Sequence, residues 1–196
     1  LGNAATNISF PLSISCVAIA LLFGIGGASA FNISMGAGEK KKAVYYLGNS
    51  AVVLFSCGIV LCVITLMFLE PLLHFFGSPN NVLDYAKTYT GVIAFGFPFL
   101  ILTTGGGHLI RADGRPKVSM ICNLTGAIIN TFLDALFVFG LNMGMRGAAL
   151  ATIIGQILSA IMVIWCLSHC KTVVVGKEHL RVSKKIIYRI ISLGTA

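Results

Sequence analysis

Asp134 is the residue whose type and place most invite chemistry. It lies between Thr131-Phe132-Leu133 and Ala135-Leu136-Phe137, inside a stretch apolar enough for a bilayer. An ionised carboxylate at a bilayer centre costs about 2.5–3.5 kcal/mol on insertion scales, so one retained there is expected to serve a function. The plain alternative is a hydrogen-bonding Asp near a helix end. Asn123, Ala127, Asn130 and Asp134 recur at spacings of four, three and four, which puts them on one helix face. Such a stripe, on a helix otherwise rich in Ile, Leu and Phe, is expected to face the bundle interior.

The next apolar stretch carries a second stripe of Thr152, Gln156 and Ser159. Asp134 lies six residues before Gly140, and Thr152 five after Gly147. On consecutive antiparallel helices both then sit about 8–9 Å below the same surface. Carboxylate, amide and hydroxyl groups at matched depth suit a hard cation such as Na⁺. They equally suit a proton, because a low dielectric favours a neutral carboxyl group. Asn123, Gln156 and Ser159 are expected to line the adjoining cavity.

The elements that must position these residues follow from composition. Of 196 residues 57% are hydrophobic and 10% charged, and mean hydropathy is +0.93. Soluble domains carry about 25% charged residues, so a soluble enzyme, a disulfide scaffold and a disordered tail are excluded. Five apolar stretches stand out, Ile8–Met35, Tyr45–Leu69, Tyr89–Ile110, Val118–Phe139 and Gly147–His169. Each is long enough to cross the hydrocarbon core as a helix, and the strict alternation of a membrane β-barrel is missing. The expected fold is an all-α polytopic bundle of five transmembrane helices. Breaks fall at Gly36-Ala37-Gly38, Gly77-Ser78-Pro79-Asn80-Asn81, Asp113-Gly114-Arg115-Pro116 and Gly140 to Gly147. Pro98 is expected to kink the third span.

Charge placement predicts orientation. Of the 14 basic residues, 12 fall after spans one, three and five, leaving Lys87 and Arg146 for the other loops. The positive-inside rule puts the richer loops in the cytoplasm, so the chain starts outside and ends inside the cell membrane. The net charge of +8 therefore reads as topogenic and lipid-facing, with no nucleic-acid partner. Lys177 to Ile191 is basic and amphipathic and is expected along the inner interface. Glu39, Asp113 and Glu178 are expected in cytoplasmic loops, and Glu70 and Asp84 around the outer loop after the second span.

Small residues repeat every four at Ala20-Gly24-Ala28, Gly26-Ala30-Ser34 and Gly147-Ala151-Gly155-Ser159, a spacing that lets membrane helices approach closely. The six cysteines form no C-x-x-C pair and read as small hydrophobes. His108 reads as interfacial. Gly24-Ile25-Gly26 lacks the context of a dinucleotide fingerprint, and neither H-E-x-x-H nor G-x-S-x-G occurs. No enzyme activity and no cofactor is expected. The chain begins at Leu1 and stops within an apolar segment, and it reads as an internal piece of a longer protein.

Four segments carry a family resemblance: Gly36-Ala37-Gly38-Glu39, Ile110-Arg111-Ala112-Asp113-Gly114-Arg115-Pro116-Lys117, Asn130-x-x-Leu133-Asp134 and Gly147-Ala148-Ala149-Leu150-Ala151-Thr152. In this order and spacing the chain resembles the MATE family of multidrug and toxic compound extrusion transporters, bacterial multidrug efflux members in particular. The resemblance implies two six-helix lobes. Residues 1–170 would supply helices two to six of the N-terminal lobe, and residues 171–196 the cytoplasmic inter-lobe linker and the start of helix seven. It also implies an antiporter coupled to H⁺ or Na⁺ that exports organic cations or drugs. Its N-lobe cation or proton site maps onto Asn130, Asp134 and Thr152, with a backbone carbonyl from Ala148. An acidic residue on helix one belongs to the family site and has no counterpart here. Gly107 stands where helix four often presents an amide. The implied partners are the drug, the bilayer, and the remainder of the protein (helix one and a C-terminal lobe). A lipid-linked saccharide flippase of related architecture and a non-transporting scaffold subunit are the alternatives.

Overall fold

The computed structural model describes residues 2–76, 80–173, 175–180 and 182–195. Its regular structure is all helical. Four helices can cross a membrane by length and composition: α1 (Gly2–Gly36), α2 (Lys40–Met67), α6 (Pro116–Asp134, continued by a π-helical segment Ala135–Gly140) and α7 (Gly144–Ser168). A fifth crossing is broken, with α4 (Asn80–Ala94) and α5 (Phe97–Ala112) bent by 53°. These are the five stretches expected from sequence. Two short helices, α3 (Leu69–Phe75) and α8 (Lys184–Gly194), and a 3₁₀ turn at Lys177–Leu180 complete the helical elements among the described residues.

The break has a local cause. Pro98 offers no N–H to the carbonyl four residues earlier, and its ring crowds that carbonyl. Phe95 and Gly96 instead donate to Val92 and Ile93 over 3.1 and 2.8 Å, closing α4 in a tight turn. Pro98 then occupies the first turn of α5, where a missing N–H costs nothing. The crossing also starts earlier than Tyr89. Asp84 and Lys87, expected in a loop, lie on α4, and Lys87 pairs with Glu70 of α3. Gly77-Ser78-Pro79 and Arg181 lie outside the described residues.

Helix α5 runs through the middle of the bundle, packed on α1, α2, α6 and α7; α1 also meets α2, α4 and α8. The small-residue ridges are where backbones meet. A Cβ added at Gly24 would lie 2.6 Å from Gly105 Cα, and one at Gly105 would lie 2.9 Å from Ala20 O. At the second ridge, a Cβ at Gly26 would strike the Ile190 carbonyl of α8, and one at Gly194 would strike the Leu22 carbonyl of α1. This corrects the expectation that the basic segment lies along the interface through Ile191. From Lys184 onward the chain climbs antiparallel to α1, with Ile190 fully buried.

Two buried polar residues bolt the segment after α7 to the bundle. Asp113 is 0% exposed. It accepts from the Lys171 N–H (2.8 Å), the Thr172 N–H (3.0 Å), the Thr172 hydroxyl and Arg115 Nε (2.7 Å), while Arg115 Nη2 donates to the Cys166 carbonyl over 2.7 Å. Asn49, also fully buried, donates to the Tyr45 and His179 carbonyls and accepts from the Ser183 N–H at 2.9 Å. These bonds tie the turn after α5 and the segment after α7 to each other and to α2 at one end of the bundle. Burial raises the Asp113 carboxyl pKa, but the hydrogen bonds from Thr172 and Lys171 and the charge of Arg115 outweigh it and hold the group below its ordinary value.

Candidate functional site

The crossing of α6 and α7 is set by glycine. A Cβ at Gly155 would fall 2.8 Å from the Gly126 carbonyl, and one at Gly126 would fall 2.9 Å from the Gly155 carbonyl and collide with the Ser159 hydroxyl. Ser159 Oγ itself donates to the Cys122 carbonyl at 2.9 Å, inside the contact. Gly126→Val is expected to cost about 1–3 kcal/mol, because the Gly155 carbonyl opposite is backbone and the Ser159 hydroxyl is held by its bond to Cys122. Thermal unfolding of the purified protein reads this directly. Gly36→Ala is the neutral control, since nothing lies within 4 Å of its added Cβ.

Above this crossing the two polar stripes meet. Asn130 Nδ2 donates to Thr152 Oγ1 over 3.4 Å, and Thr152 Oγ1 donates to the Ala148 carbonyl over 3.0 Å. Asn130, rather than Asp134, thus stands opposite Thr152, and Asp134 lies one turn further along α6. Gly147 packs against Phe137, continuing the antiparallel register. Beyond Asp134 the helix widens into the π-helical segment, whose end is closed by Leu141 N–H to the Leu136 carbonyl (2.9 Å). Such widening is uncommon and concentrates at functional sites. Asp134 Oδ1 is buried and, among the described residues, has no hydrogen-bond partner. Buried carboxylate oxygens in folded proteins are nearly always paired, so each exception calls for an explanation.

Between α5, α6 and α7 lies a cavity of about 240 Å³. Asn123, Asn130, Thr152, Gln156 and Ser159 line it, while Asp134 and Ala148, each one turn from a lining residue of its own helix, are not part of the lining. Asn123 is exposed rather than interior, so the α6 stripe borders the helix contact instead of filling it. A Cβ on Gly107 would come within 3.9 Å of Asn123 Nδ2, which places that glycine beside the same wall.

Two contributors carry no signal in the sequence. Thr103 and Thr104 of α5 line the cavity, and among the described residues Thr103 Oγ1, on a residue 8% exposed, has no partner, nor has Gln156 Oε1. No periodic signal marks the threonines, since Thr hydroxyls bond the preceding turn as readily as a ligand. Among the described residues no group of three or more His, Cys, Asp or Glu side chains is placed to hold a metal.

A sequence model of the MatE family matches residues 3–136, about two thirds of the chain. A multidrug export protein MepA of Staphylococcus saprophyticus is 26% identical over 192 residues, covering 97% of this chain and 43% of the relative. MepA of Staphylococcus haemolyticus is 28% identical over the same length. An inward-facing multidrug resistance MATE transporter superposes with a TM-score of 0.91 at 23% identity, over 99% of this chain and 44% of the other. An outward-facing one gives 0.89 at 23%, over 98% and 43%. The chain therefore spans less than half the length of these relatives, with the fold of the matching part intact. On a family match over most of its helices, the chain belongs to the MatE family of multi-pass membrane transporters.

Proposed function

We propose that this chain is the greater part of the N-terminal lobe of an ion-coupled antiporter that exports organic cations or drugs across the cell membrane. Residues 1–170 form the lobe, and residues 171–196 form the linker and the start of helix seven, with the basic turns in the cytoplasm. The observation that carries the reading is the buried, unpartnered oxygen of Asp134 next to the hydrogen-bonded chain Asn130–Thr152–Ala148. An oxygen so placed gains from a proton or from Na⁺, each of which satisfies it at low dielectric cost.

Support for movement of the lobe as a body comes from its likeness to both inward- and outward-facing structures, at TM-scores of 0.91 and 0.89. Export then needs two arrangements of the lobes, biased by an ion that binds one more tightly than the other. The MepA relatives carry the name of multidrug export proteins, and that substrate class is the one proposed here.

The test is transport by the full-length protein in vesicles loaded with a fluorescent organic cation. An imposed proton or Na⁺ gradient is expected to accelerate cation exit, and the gradient that does so names the ion. Movement that ignores both gradients, or movement of a lipid-linked sugar in place of the cation, overturns the proposal.

A further inference from the structure

A second cavity lies at the basic end of the bundle, far from Asp134, where the turn between α1 and α2 meets α8. Its volume is about 520 Å³, within the range of small-ligand sites. Three cations reach it: Lys42 from α2, and Lys185 and Arg189 from α8. Lys185 and Arg189 are four apart, so they share one face of α8. The burial of Ile190 against α1 fixes the rotation of that helix. Glu39 neutralises Lys42 across 2.7 Å, and no carboxylate pairs with Lys185 or Arg189 among the described residues. The site therefore keeps a net charge of +2 from three cations and one anion.

We propose that this cavity holds the phosphodiester headgroup of an anionic phospholipid. Lys185 and Arg189 face the phosphate, and the phenol groups of Tyr45 and Tyr46 on the opposing wall supply neutral donors. Depth favours a lipid over a soluble anion. The cavity opens at the junction of two spans, Ser9–Gly36 and Lys40–Met67, which is headgroup level for a bilayer around them. Ile33 and Ile186 add apolar lining, and Ile33 and Ile25 are both exposed along α1, giving an acyl chain a path into the membrane. Basic pockets between membrane helices recognise anionic headgroups by this combination of charge and depth.

On the other flank of α2, Lys41 and Lys171 line a separate cavity of about 400 Å³, which supplies an internal control. Full-length protein, stripped of lipid in detergent, is offered phosphatidylglycerol or phosphatidylcholine and weighed by native mass spectrometry. The expected result is a phosphatidylglycerol adduct at least about tenfold more abundant than the phosphatidylcholine one. Lys185→Gln with Arg189→Gln should abolish that preference, whereas Lys41→Gln with Lys171→Gln, an equal loss of charge, should leave it. All four side chains are exposed, and an unchanged elution profile verifies folding. Equal retention of the two lipids, or equal effects of the two double variants, overturns the site. Displacement of the adduct by soluble glycerol phosphate would overturn the lipid as its occupant.

Discussion

Asp134→Asn in the full-length protein is expected to abolish ion-driven efflux while leaving expression and membrane insertion at wild-type levels. Asparagine keeps the volume of the side chain and can still hydrogen-bond. It loses the ability to take up a proton or to neutralise a cation, and with it the differential affinity that favours one lobe arrangement. Shifting a two-state equilibrium from 1:99 to 99:1 takes about 5.5 kcal/mol of such a difference, so losing the ion's share removes the drive. Stability should not suffer, because an ionised carboxylate within the bilayer carries a cost, up to about 2.5–3.5 kcal/mol at its centre, that an amide does not incur. Drug resistance of cells carrying the variant is the first measurement, and gradient-driven dye exit from vesicles the second. Wild-type values in both would remove Asp134 from the mechanism. Thr152→Val, which deletes the hydroxyl linking Asn130 to the Ala148 carbonyl, should give a partial loss in the same assays.

What could be read from sequence, and what could not, divides along physical lines. Spans are set by hydrophobic length, a property summed over about 20 residues, and α1, α2, α6 and α7 lie close to where that sum placed them. The small-residue ridges were legible for the same reason, since spacing four on a helix is purely local, and each ridge did find a backbone to meet. Proline chemistry at residue 98 identified the bend between α4 and α5.

Depth matching set Asp134 level with Thr152, but it assumed ideal helix to Gly140, and it is Asn130 that bonds Thr152. The π-helical segment Ala135–Gly140 alters that register, and Asp134 sits a turn beyond Thr152 instead of level with it. Long-range polar contacts left no trace in local pattern. Asp113 reads as a cytoplasmic turn residue in Asp113-Gly114-Arg115-Pro116, yet Lys171 and Thr172, which donate to it, lie 58 and 59 residues downstream. Asn49 gave no signal at all, because its bonds to His179 and Ser183 cross 130 and 134 residues. The course of α8 was misjudged for a related reason. An amphipathic basic helix suits a membrane surface, and it equally suits packing one face on α1 while its cations stay at the rim.

Those hidden contacts support the largest stability effect expected of any single substitution here. Asp113→Ala leaves Arg115 Nε, two backbone N–H groups and the Thr172 hydroxyl facing a buried site without the acceptor they share. Breaking a buried charge pair from one side costs about 3–5 kcal/mol, because the remaining partner stays desolvated. Thr172→Val, which removes one donor and keeps the carboxylate paired, should cost only about 1 kcal/mol. The pH dependence has a definite sign. The Asp113 carboxyl titrates below its ordinary value in the folded protein, so its contribution is complete at neutral pH. It is still present just above the unfolded value near pH 3.9, and it is lost as pH falls from there through the folded value. Unfolding in mixed micelles, followed by denaturant midpoint from pH 7 down to about pH 3, should show wild type losing stability over that acid range. The Asp113→Ala protein starts lower and lacks that component of the slope. Identical acid profiles for the two proteins would mean that the carboxylate does not hold the segment after α7 against the bundle.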